Sequence, residues 1–359
     1  MDALTTPLNW QKVRLGDILT LKHGRDYKKF KLGNIPIYGS GGYMLSINNF
    51  LHNGESVCIG RKGTIDKPIY LNGKFWVVDT LFYSYSFKKS IPKFIFYAFS
   101  IIKWSNYNEA TGVPSLTKMT ISNIEIPLPP IDEQIAIANI LSDLDRYLYA
   151  LRALILKKES VKKALSFELL SQRKRLKGFN QNWQRVRLGD ICEIVKGQQI
   201  NKISLNNTDK YPVINGGIDF LGYTNRFNVS KNTIAISEGG TCGYVRFMTS
   251  DFWSGGHNYS LQKISNKVNN LCLYHILKSY EKDIMKLGVG SGLKNIQLKA
   301  LKDFEIPLPP LNEQIAIANI LSDVDSEIIS LKNKKRQFEN IKKALNHDLM
   351  SAKIRVLKK

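Results

Sequence analysis

The strongest constraint on this chain is that one stretch of its sequence occurs twice. Glu125–Asp145 (EIPLPPIDEQIAIANILSDLD) returns 180 residues later as Glu305–Asp325 (EIPLPPLNEQIAIANILSDVD), with 18 of the 21 positions identical. Asn9–Ile18 (NWQKVRLGDI) likewise recurs as Asn182–Ile191 (NWQRVRLGDI). Because the sequence between these markers diverges, the chain contains a variable segment and a fixed segment, each present twice. Two repeats are too few for a solenoid. They indicate pseudo-twofold symmetry, which suits a two-fold target such as duplex DNA.

The basic composition narrows the class of partner. The formal net charge is +22 in 359 residues, and such an excess of positive charge attracts polyanions. Nucleic acid is the first candidate and an anionic membrane surface is the second. No apolar run approaches the roughly 20 residues of a spanning helix, and no secretory signal is visible. The four cysteines lack CxxC spacing, which argues against a disulfide framework or a structural zinc site. We therefore expect a cytoplasmic protein.

The variable segments, residues 9–125 and 182–305, mix aromatic and β-branched runs with Gly-Asn-Ser turn clusters. This pattern predicts irregular, mainly β domains with some helix. The two segments share a frame despite their divergence, since Ile59–Thr64 corresponds to Ile236–Thr241 and Phe75-Trp76 corresponds to Phe252-Trp253 at an offset of 177.

Each fixed segment predicts a long helix. The Pro-Leu-Pro-Pro runs prevent a helix from entering from upstream, and Asp132 and Asn312 stand where an N-cap is expected, followed by Glu-Gln. Apolar residues then recur at steps of three and four, which predicts helices of about 40 residues, or ~60 Å, that pack antiparallel on each other. The alternative is two separate amphipathic helices, each covering its own domain. The predicted helix–helix interface comprises Leu141, Leu144, Leu148, Leu151, Ile155, Leu321, Val324, Ile328, Leu331, Phe338, Ile341 and Leu345.

The resulting fold class is α+β, with two mixed, mainly β domains joined by a pair of long antiparallel coiled-coil helices. The predicted ranges are 1–128 and 179–308 for the β-rich domains, 129–178 for the first helix with its linker, and 309–359 for the second helix. The linker Gln172–Lys177 and the C-terminal stretch Lys353–Lys359 are basic. Such runs are either solvated surface or phosphate contacts.

Motifs for catalysis are missing from the sequence. There is no GxxxxGK[ST] loop, no GxGxxG opening a helix after a strand, no Asn-Pro-Pro-aromatic run and no metal-binding spacing among the five histidines. Gly39–Gly42 and Gly239-Gly240 are better interpreted as turn glycines than as phosphate cradles. We therefore predict that the chain is not an enzyme and holds no metal or cofactor.

The remaining candidates are nucleic-acid contacts in the variable segments. Lys22–Lys31 (KHGRDYKKFK) is dense in cations, which suits phosphate neutralisation, whereas Lys196–Lys202 (KGQQINK) offers amides suited to adenine. Arg61-Lys62 and Ser237-Glu238 occupy matching loops with opposite chemistry, although any single residue could be surface decoration. The candidate DNA-binding residues are Lys22, Arg25, Tyr27, Lys28, Lys29, Arg61, Lys62, Thr64, Lys196, Gln198, Gln199, Asn201, Lys202, Ser237, Glu238, Thr241, Arg246 and Lys294.

The tandem pattern resembles a known family. A variable domain, then PLPPxxEQxxIAxxL leading a long helix, then a second copy of both, is similar to the specificity subunit (HsdS) of type I restriction–modification systems. The resemblance spans essentially the whole chain. It implies two target recognition domains that each bind one half of a split DNA site, and helices that set the spacer. It also implies docking of two modification subunits, which use S-adenosylmethionine to methylate adenine, and of restriction subunits that use ATP and magnesium.

Three other interpretations remain open at this point. The chain could be the specificity subunit of a type IIB-like system, in which one partner chain carries both modification and cleavage. It could be a stand-alone nucleic-acid-binding scaffold that dimerises through its helices, or a cryptic nuclease or methyltransferase. Methylation of adenine in a duplex requires the base to leave the stack, so we expect the DNA to be distorted.

Overall fold

The computed structural model describes residues 9–357, and the chain divides into two compact units. Unit 1 comprises residues 1–152 and 333–359, and unit 2 comprises residues 153–332. The ends of the predicted ranges, residues 1–8 and 358–359, lie outside the described part. Each unit contains one β-rich domain, a portion of the first long helix and a portion of the second.

The β-rich domain of unit 1 contains short strands and a few short helices. In chain order they are β1 (Gln11–Arg14), α1 (Leu15–Ile18), β2 (Thr20–His23), β3 (Leu32–Gly39), β4 (Gly42–Ile47), β5 (His52–Asn53), β6 (Ser56–Gly60), β7 (Ile69–Leu71), β8 (Lys74–Val77), β9 (Leu81–Tyr85), α2 (Pro92–Ile101), a 3-10 turn (Trp104–Tyr107), α3 (Lys118–Asn123) and β10 (Glu125–Leu128). The sheets are β1-β10, β2-β9-β6-β7 and β4-β3-β8-β5, and β3 runs parallel to β8. Helix α2 buries Phe94 and Ile95 in the same core as Val57 and Ile59 of β6.

Unit 2 repeats this plan with different loops. After helix α4 (Ile131–Leu170) its elements are β11 (Gln184–Arg187), α5 (Leu188–Ile191), β12 (Glu193–Lys196), a 3-10 turn (Lys202–Ser204), β13 (Tyr211–Ile214), β14 (Gly222–Thr224), β15 (Thr233–Ser237), β16 (Val245–Met248), β17 (Trp253–Ser254), β18 (Asn258–Gln262), α6 (Asn270–Ser279), α7 (Glu281–Lys286), β19 (Gly288–Val289), β20 (Asn295–Ile296), α8 (Leu298–Lys302) and β21 (Glu305–Leu308), followed by α9 (Leu311–Met350). The sheets are β11-β21, β12-β18-β15-β16, β14-β13-β17 and β19-β20.

The repeated markers are each other's structural partners. In unit 1 the repeated stretch Asn9–Ile18 supplies β1, and the repeated stretch Glu125–Asp145 supplies β10. The two strands pair antiparallel from Gln11 opposite Leu128 to Arg14 opposite Glu125. β11 and β21 pair in the same register in unit 2. Each domain is thus closed by two fixed segments more than a hundred residues apart, which explains why both are retained while the sequence between them varies.

The first turn of each long helix anchors it to its β-rich domain. The helices begin at Ile131 and Leu311, so Asp132 and Asn312 are the second helical residues, and the prediction that they are N-caps is wrong. Gln134 instead makes the anchoring contacts: its Nε2 donates to the carbonyl of Pro129 at 2.8 Å, and its Oε1 accepts from the amide of Ile91 at 3.0 Å. Gln314 bonds in the same way in unit 2.

Antiparallel helix pairing is present in each unit, and ion pairs accompany the apolar contacts. In unit 1, Lys342 bonds to Asp145 at 2.5 Å and Arg152 bonds to Glu339 at 2.9 Å. Shifting these numbers by 180 gives the contacts of unit 2, where Lys162 bonds to Asp325 and Lys332 bonds to Glu159. Each 40-residue helix therefore contributes to both units, one half to each.

Most of the predicted interface residues are buried or half-buried on these helices. Ile341 is the exception, with an exposed fraction of 50%, and its prediction as an interface residue is wrong. The contacting row in unit 1 runs through Phe338, Lys342, Leu345 and Leu349, and Ile341 lies one residue, or about 100° of helix rotation, away from it. Phe338 packs against Tyr147 with ring centroids 4.7 Å apart.

Among residues 9–357, no helix combines the length and the apolar character that a bilayer crossing requires.

Candidate nucleic-acid interface

A tryptophan fixes the start of the cationic loop in unit 1. After β2, the amide of Gly24 donates to the carbonyl of Leu81 at 3.0 Å, and the amide of Arg25 donates to the carbonyl of Val77 at 2.9 Å. Trp76 Nε1 donates to the carbonyl of Arg25 at 2.8 Å. A Cβ at Gly24 would lie 2.0 Å from a backbone oxygen, so only glycine fits. The loop that follows therefore leaves the sheet from a rigid point.

Unit 2 has the same backbone and tryptophan hydrogen bonds at the equivalent loop, with Gln198 in place of Arg25. Gly197 donates to Asn258 at 2.9 Å, Gln198 donates to Ser254 at 2.8 Å, and Trp253 Nε1 donates to the carbonyl of Gln198 at 2.9 Å. Arg25 and Gln198 therefore occupy equivalent positions in the two units. This confirms the shared frame predicted from the Phe-Trp pairs, and it places a guanidinium in one domain where the other has an amide.

The candidate residues of unit 1 lie mostly on the surface. Lys22, Arg25, Lys28, Lys29 and Lys62 are exposed, whereas Arg61 and Thr64 are half-buried. Burial raises the pKa of the Tyr83 phenol, and the nearby positive charges of Lys22 and Arg25 oppose that shift.

Tyr27 has a structural role in addition to any DNA contact. It is half-buried and packs with Phe30 against the core cluster that contains Trp76. Tyr27 and Lys28 also line an open groove of about 740 Å³ together with Gly39–Met44 and Val78–Thr80.

In unit 2 the exposed candidates are Lys196, Gln198, Gln199, Asn201, Lys202 and Lys294. Thr241 and Arg246 are half-buried, and Arg246 lies over the ring of Phe220 at 5.1 Å. The Asn201 side chain accepts from the amide of Ile203 at 3.0 Å, so part of its bonding capacity already goes to its own loop.

Ser237 and Glu238 do not fit the prediction of direct base contact. Both are buried, and Glu238 is only 9% exposed. The Glu238 carboxylate accepts from Lys196 Nζ at 2.6 Å and from Tyr259 Oη at 3.3 Å. This burial and bonding follow from the end of β15 lying inside the sheet rather than at its rim. Glu238 therefore neutralises Lys196 from below the surface, and its prediction as a surface residue that contacts DNA is wrong.

The backbone bonds confirm the offset of 177 for these two loops, and they correct the pairing of Arg61-Lys62 with Ser237-Glu238 by one residue. The amide of Arg61 donates to Thr80, and its carbonyl accepts from Leu116, whereas Glu238 makes the same two bonds to His257 and Ile296. Arg61 is thus equivalent to Glu238 alone, and Lys62 is equivalent to Gly239. A cation at the rim of one domain corresponds to an internal anion in the other.

A buried carboxylate at each helix start was not identified from the sequence. Glu133 is 2% exposed, and it accepts from Trp10 Nε1 at 3.0 Å and from Arg355 Nε and Nη2 at 2.7 and 2.9 Å. In unit 2, Glu313 accepts from Trp183 and Arg175 in the same way. Arg175 and Arg355 are therefore held in ion pairs and are not free phosphate contacts. The sequence does contain a sign of these clamps, because the same three residue types, Trp, Glu and Arg, occur at equivalent positions of both repeats.

Comparison with known proteins identifies the family. The model of the type I restriction modification DNA specificity domain matches residues 7–159 and again residues 180–340. The chain belongs to this family.

Individual relatives support the same assignment. The chain is 30% identical over 291 residues to a type I restriction enzyme specificity subunit of Methanocaldococcus jannaschii, covering 74% of this chain and 68% of that protein. A second specificity subunit of that organism is 26% identical over 99% of this chain and 95% of its own length. A type I specificity subunit of Mycoplasma pneumoniae is 40% identical over 151 residues. That alignment and one with a Mycoplasma genitalium relative each span only 40% of the relative's length.

Solved structures share the fold. The S subunit of a type I restriction–modification system from M. genitalium superposes with a TM-score of 0.77 at 20% identity, covering 97% of each chain. A chain from a structure on complex assembly and conformational transition of the type I R-M system gives a TM-score of 0.54 at 17% identity, covering 96% of this chain and 98% of that one.

Within the described residues, no three His, Cys, Asp or Glu side chains come close enough to hold a metal ion. Burial raises the pKa of the Cys58 and Cys272 thiols to about 12, so both stay protonated at neutral pH.

Proposed function

We propose that this chain is the DNA specificity subunit of a type I restriction–modification complex, in which unit 1 and unit 2 each bind one half of a split site. One observation carries the proposal: the two domains hold the same loops with the same backbone bonds but carry different side chains on them. Exposed Arg25 corresponds to exposed Gln198, and the rim cation Arg61 has no counterpart on the surface of unit 2, where Glu238 is buried. A shared frame with exchanged chemistry is what two readers of different sequences require.

The cationic surface would supply the sequence-independent part of binding. Exposed lysines that neutralise phosphates release counterions, so affinity falls steeply with salt. The loop side chains would then supply base discrimination of ~1–3 kcal/mol for each good contact. Lys28, Lys29 and Lys62 in unit 1 and Lys202 and Lys294 in unit 2 are exposed and suited to the first role.

The long helices would bind the partner subunits. Ile131 and Ile135 in unit 1 and Leu311 and Ile315 in unit 2 are exposed aliphatic residues at equivalent positions. Folding does not require surface residues to match between repeats, so their similarity points to two copies of one partner. We assign these surfaces to two modification subunits. S-adenosylmethionine, ATP and magnesium would be held by the modification and restriction subunits, and this chain would do no chemistry itself.

The test is long-read detection of N6-methyladenine in cells that carry the cognate modification subunit, with and without this chain. We expect a split motif that is methylated on both strands only when the chain is present. Absence of chain-dependent methylation, with a modification subunit shown to be active, would refute the proposal and favour a stand-alone scaffold.

A substitution then separates the two half-sites. Arg61→Ala should relax or weaken recognition of one half of the motif and leave the other half unchanged. Lys103→Ala, which removes an exposed lysine that follows α2, is the matched control and should leave the motif intact. Equal damage to both halves by Arg61→Ala would contradict two independent readers.

A further inference from the structure

Three loops meet at one edge of the β-rich domain in unit 1. Residue 62 forms an isolated antiparallel bridge with Ser115, and the amide of Gly63 donates to the carbonyl of Pro114 at 2.9 Å. A Cβ built on Gly63 would lie 3.2 Å from Ser40 Oγ. The loop of residues 61–64, which carries the Arg61 and Lys62 candidates, therefore lies between the loops of residues 39–42 and 111–115.

Unit 2 brings the equivalent loops together. The amide of Thr241 donates to the carbonyl of Gly216 at 2.8 Å, and the amide of Ile296 donates to the carbonyl of Glu238 at 2.9 Å. A Cβ on Gly239 would lie 2.2 Å from Asn295 Oδ1. The third loop of unit 2, residues 290–294, thus lies beside the loop of residues 238–241. That loop is equivalent to the loop of residues 61–64, which faces residues 111–115 in unit 1.

An aliphatic side chain projects from the tip of this third loop in both units. Val113 is 65% exposed and Leu293 is 82% exposed. They stand at matching places in the sequences Thr111–Leu116 (TGVPSL) and Ser291–Ile296 (SGLKNI). Single exposed apolar residues are ordinary. Packing does not, however, account for an exposed aliphatic residue at the same loop tip of two otherwise divergent domains.

The bases of these loops are fixed. Asn108 Oδ1 accepts from the amides of Ala110 and Ser115 at 3.2 and 2.9 Å, and its Nδ2 donates to the carbonyl of Ala110 at 2.8 Å. In unit 2 the strands β19 and β20 pair across the loop. An aliphatic residue on a rigid stem, beside exposed cations such as Lys62 and Lys294, is positioned to meet a nucleic acid without a large ordering cost.

We propose that Val113 and Leu293 are apolar wedges that enter the base stack of the DNA, one in each half-site, and help the target adenine leave the helix. The inference rests on the proposed function. Aliphatic side chains inserted between base steps offset the loss of stacking and kink the duplex, and an unstacked base is the substrate that a methyltransferase pocket accepts. Sequence reading would demand different residues in the two domains, whereas unstacking is a task common to both, which matches the shared aliphatic.

The test uses the full chain in complex with its modification subunits and a duplex that contains the methylated motif. 2-Aminopurine replaces the target adenine of one half-site and reports unstacking by its fluorescence. We expect Leu293→Ala to reduce the fluorescence increase, and the methylation rate on the unsubstituted duplex, by about tenfold in the half-site that unit 2 binds. Val113→Ala should do the same only in the other half-site. Leu293→Met should restore activity, and Ile101→Ala, which removes an exposed aliphatic from the end of α2, should change nothing in either half-site.

The outcomes separate the wedge from its premises. Unchanged fluorescence and rate in both alanine variants, with wild-type methylation intact, would overturn the wedge and leave the proposed function standing. A second result would also overturn the wedge: replacing thymine by uracil in the half-site lowers the methylation rate as much as Leu293→Ala does, while Leu293→Ala preserves unstacking. Leu293 would then contact a thymine methyl group instead of entering the base stack. Absence of methylation by the wild-type complex would instead refute the proposed function.

Discussion

The clamp at Glu133 gives a quantitative prediction for stability. Arg355→Met removes the guanidinium and leaves a carboxylate that is 2% exposed and that, among residues 9–357, keeps only the Trp10 indole as a side-chain hydrogen-bond donor. Breaking one partner of a buried ion pair costs about 3–5 kcal/mol. The Arg355 side chain is 31% exposed, so solvent screens part of the interaction, and we expect a loss of about 2–3 kcal/mol in the unfolding free energy.

Urea unfolding followed by tryptophan fluorescence measures this loss, because Trp10 reports directly on the clamp. Lys353→Met removes an exposed charge from the same C-terminal segment and serves as the control, with an expected change below about 0.5 kcal/mol. Arg175→Met should cause a loss of similar size in unit 2, where Glu313 is equally buried. A loss for Arg355→Met no larger than that of the control would refute the reasoning, since it would mean that water fully replaces the guanidinium.

Three further predictions concern particular contacts. Glu238→Gln should free Lys196 for phosphate contact and steepen the slope of log affinity against log salt concentration by about 0.9; an unchanged slope in binding titrations would count against it. Burial lowers the pKa of His275 from 6.5 to about 4. Because the unfolded chain binds the proton first, the contribution of His275 should be fully present above pH 6.5, and unit 2 should lose up to about 3 kcal/mol as pH falls towards 4. Urea unfolding at several pH values should show this loss abolished in His275→Tyr, which installs the residue found at the matching position, Tyr97, where the hydroxyl bonds to Ser142 as His275 bonds to Ser322. Tyr147→Glu combined with Phe338→Lys copies into unit 1 the Lys158–Glu327 ion pair of unit 2, in which Nζ and Oε2 are 2.8 Å apart. In a double-mutant cycle, we expect each single variant to lose more unfolding free energy than the double variant.

The architecture could be predicted from the sequence because its signals are repeated. The 3–4 spacing after the proline run and the recurrence at an offset of 180 define the long helices, and the prediction of two β-rich domains with antiparallel helix pairing is confirmed. The predictions for single residues were wrong where the sequence pattern did not correspond to a contact or a helix boundary in the structure. Ile341 keeps the apolar spacing but lies one residue off the contacting row, and Asp132 lies inside the helix because the chain becomes helical directly after Pro130.

The candidate interface could be predicted only in part. The density of lysines between residues 22 and 31 identified an exposed cationic loop correctly. Glu238 was mistaken for a surface residue, because a Gly-Gly pair after a strand resembles a rim turn while the strand end is in fact inside the domain. The clamp residues Arg175 and Arg355 were hidden within basic runs, where sequence cannot distinguish a solvated cation from one paired with a carboxylate more than a hundred residues away. The DNA contacts themselves remain predictions.

The division of the helices between the units has a consequence for synthesis on the ribosome. Unit 2 is a continuous stretch, residues 153–332, whereas unit 1 combines residues 1–152 with residues 333–359. The domain of residues 9–128 is made before unit 2, but the helix segment around Lys342 and the clamp residue Arg355 are translated after the whole of unit 2. The usual order, in which the N-terminal portion of a chain folds first, is therefore reversed here for final assembly. Unit 2 can complete its contacts before unit 1, whose helix face stays uncovered until residues 333–357 have left the ribosome.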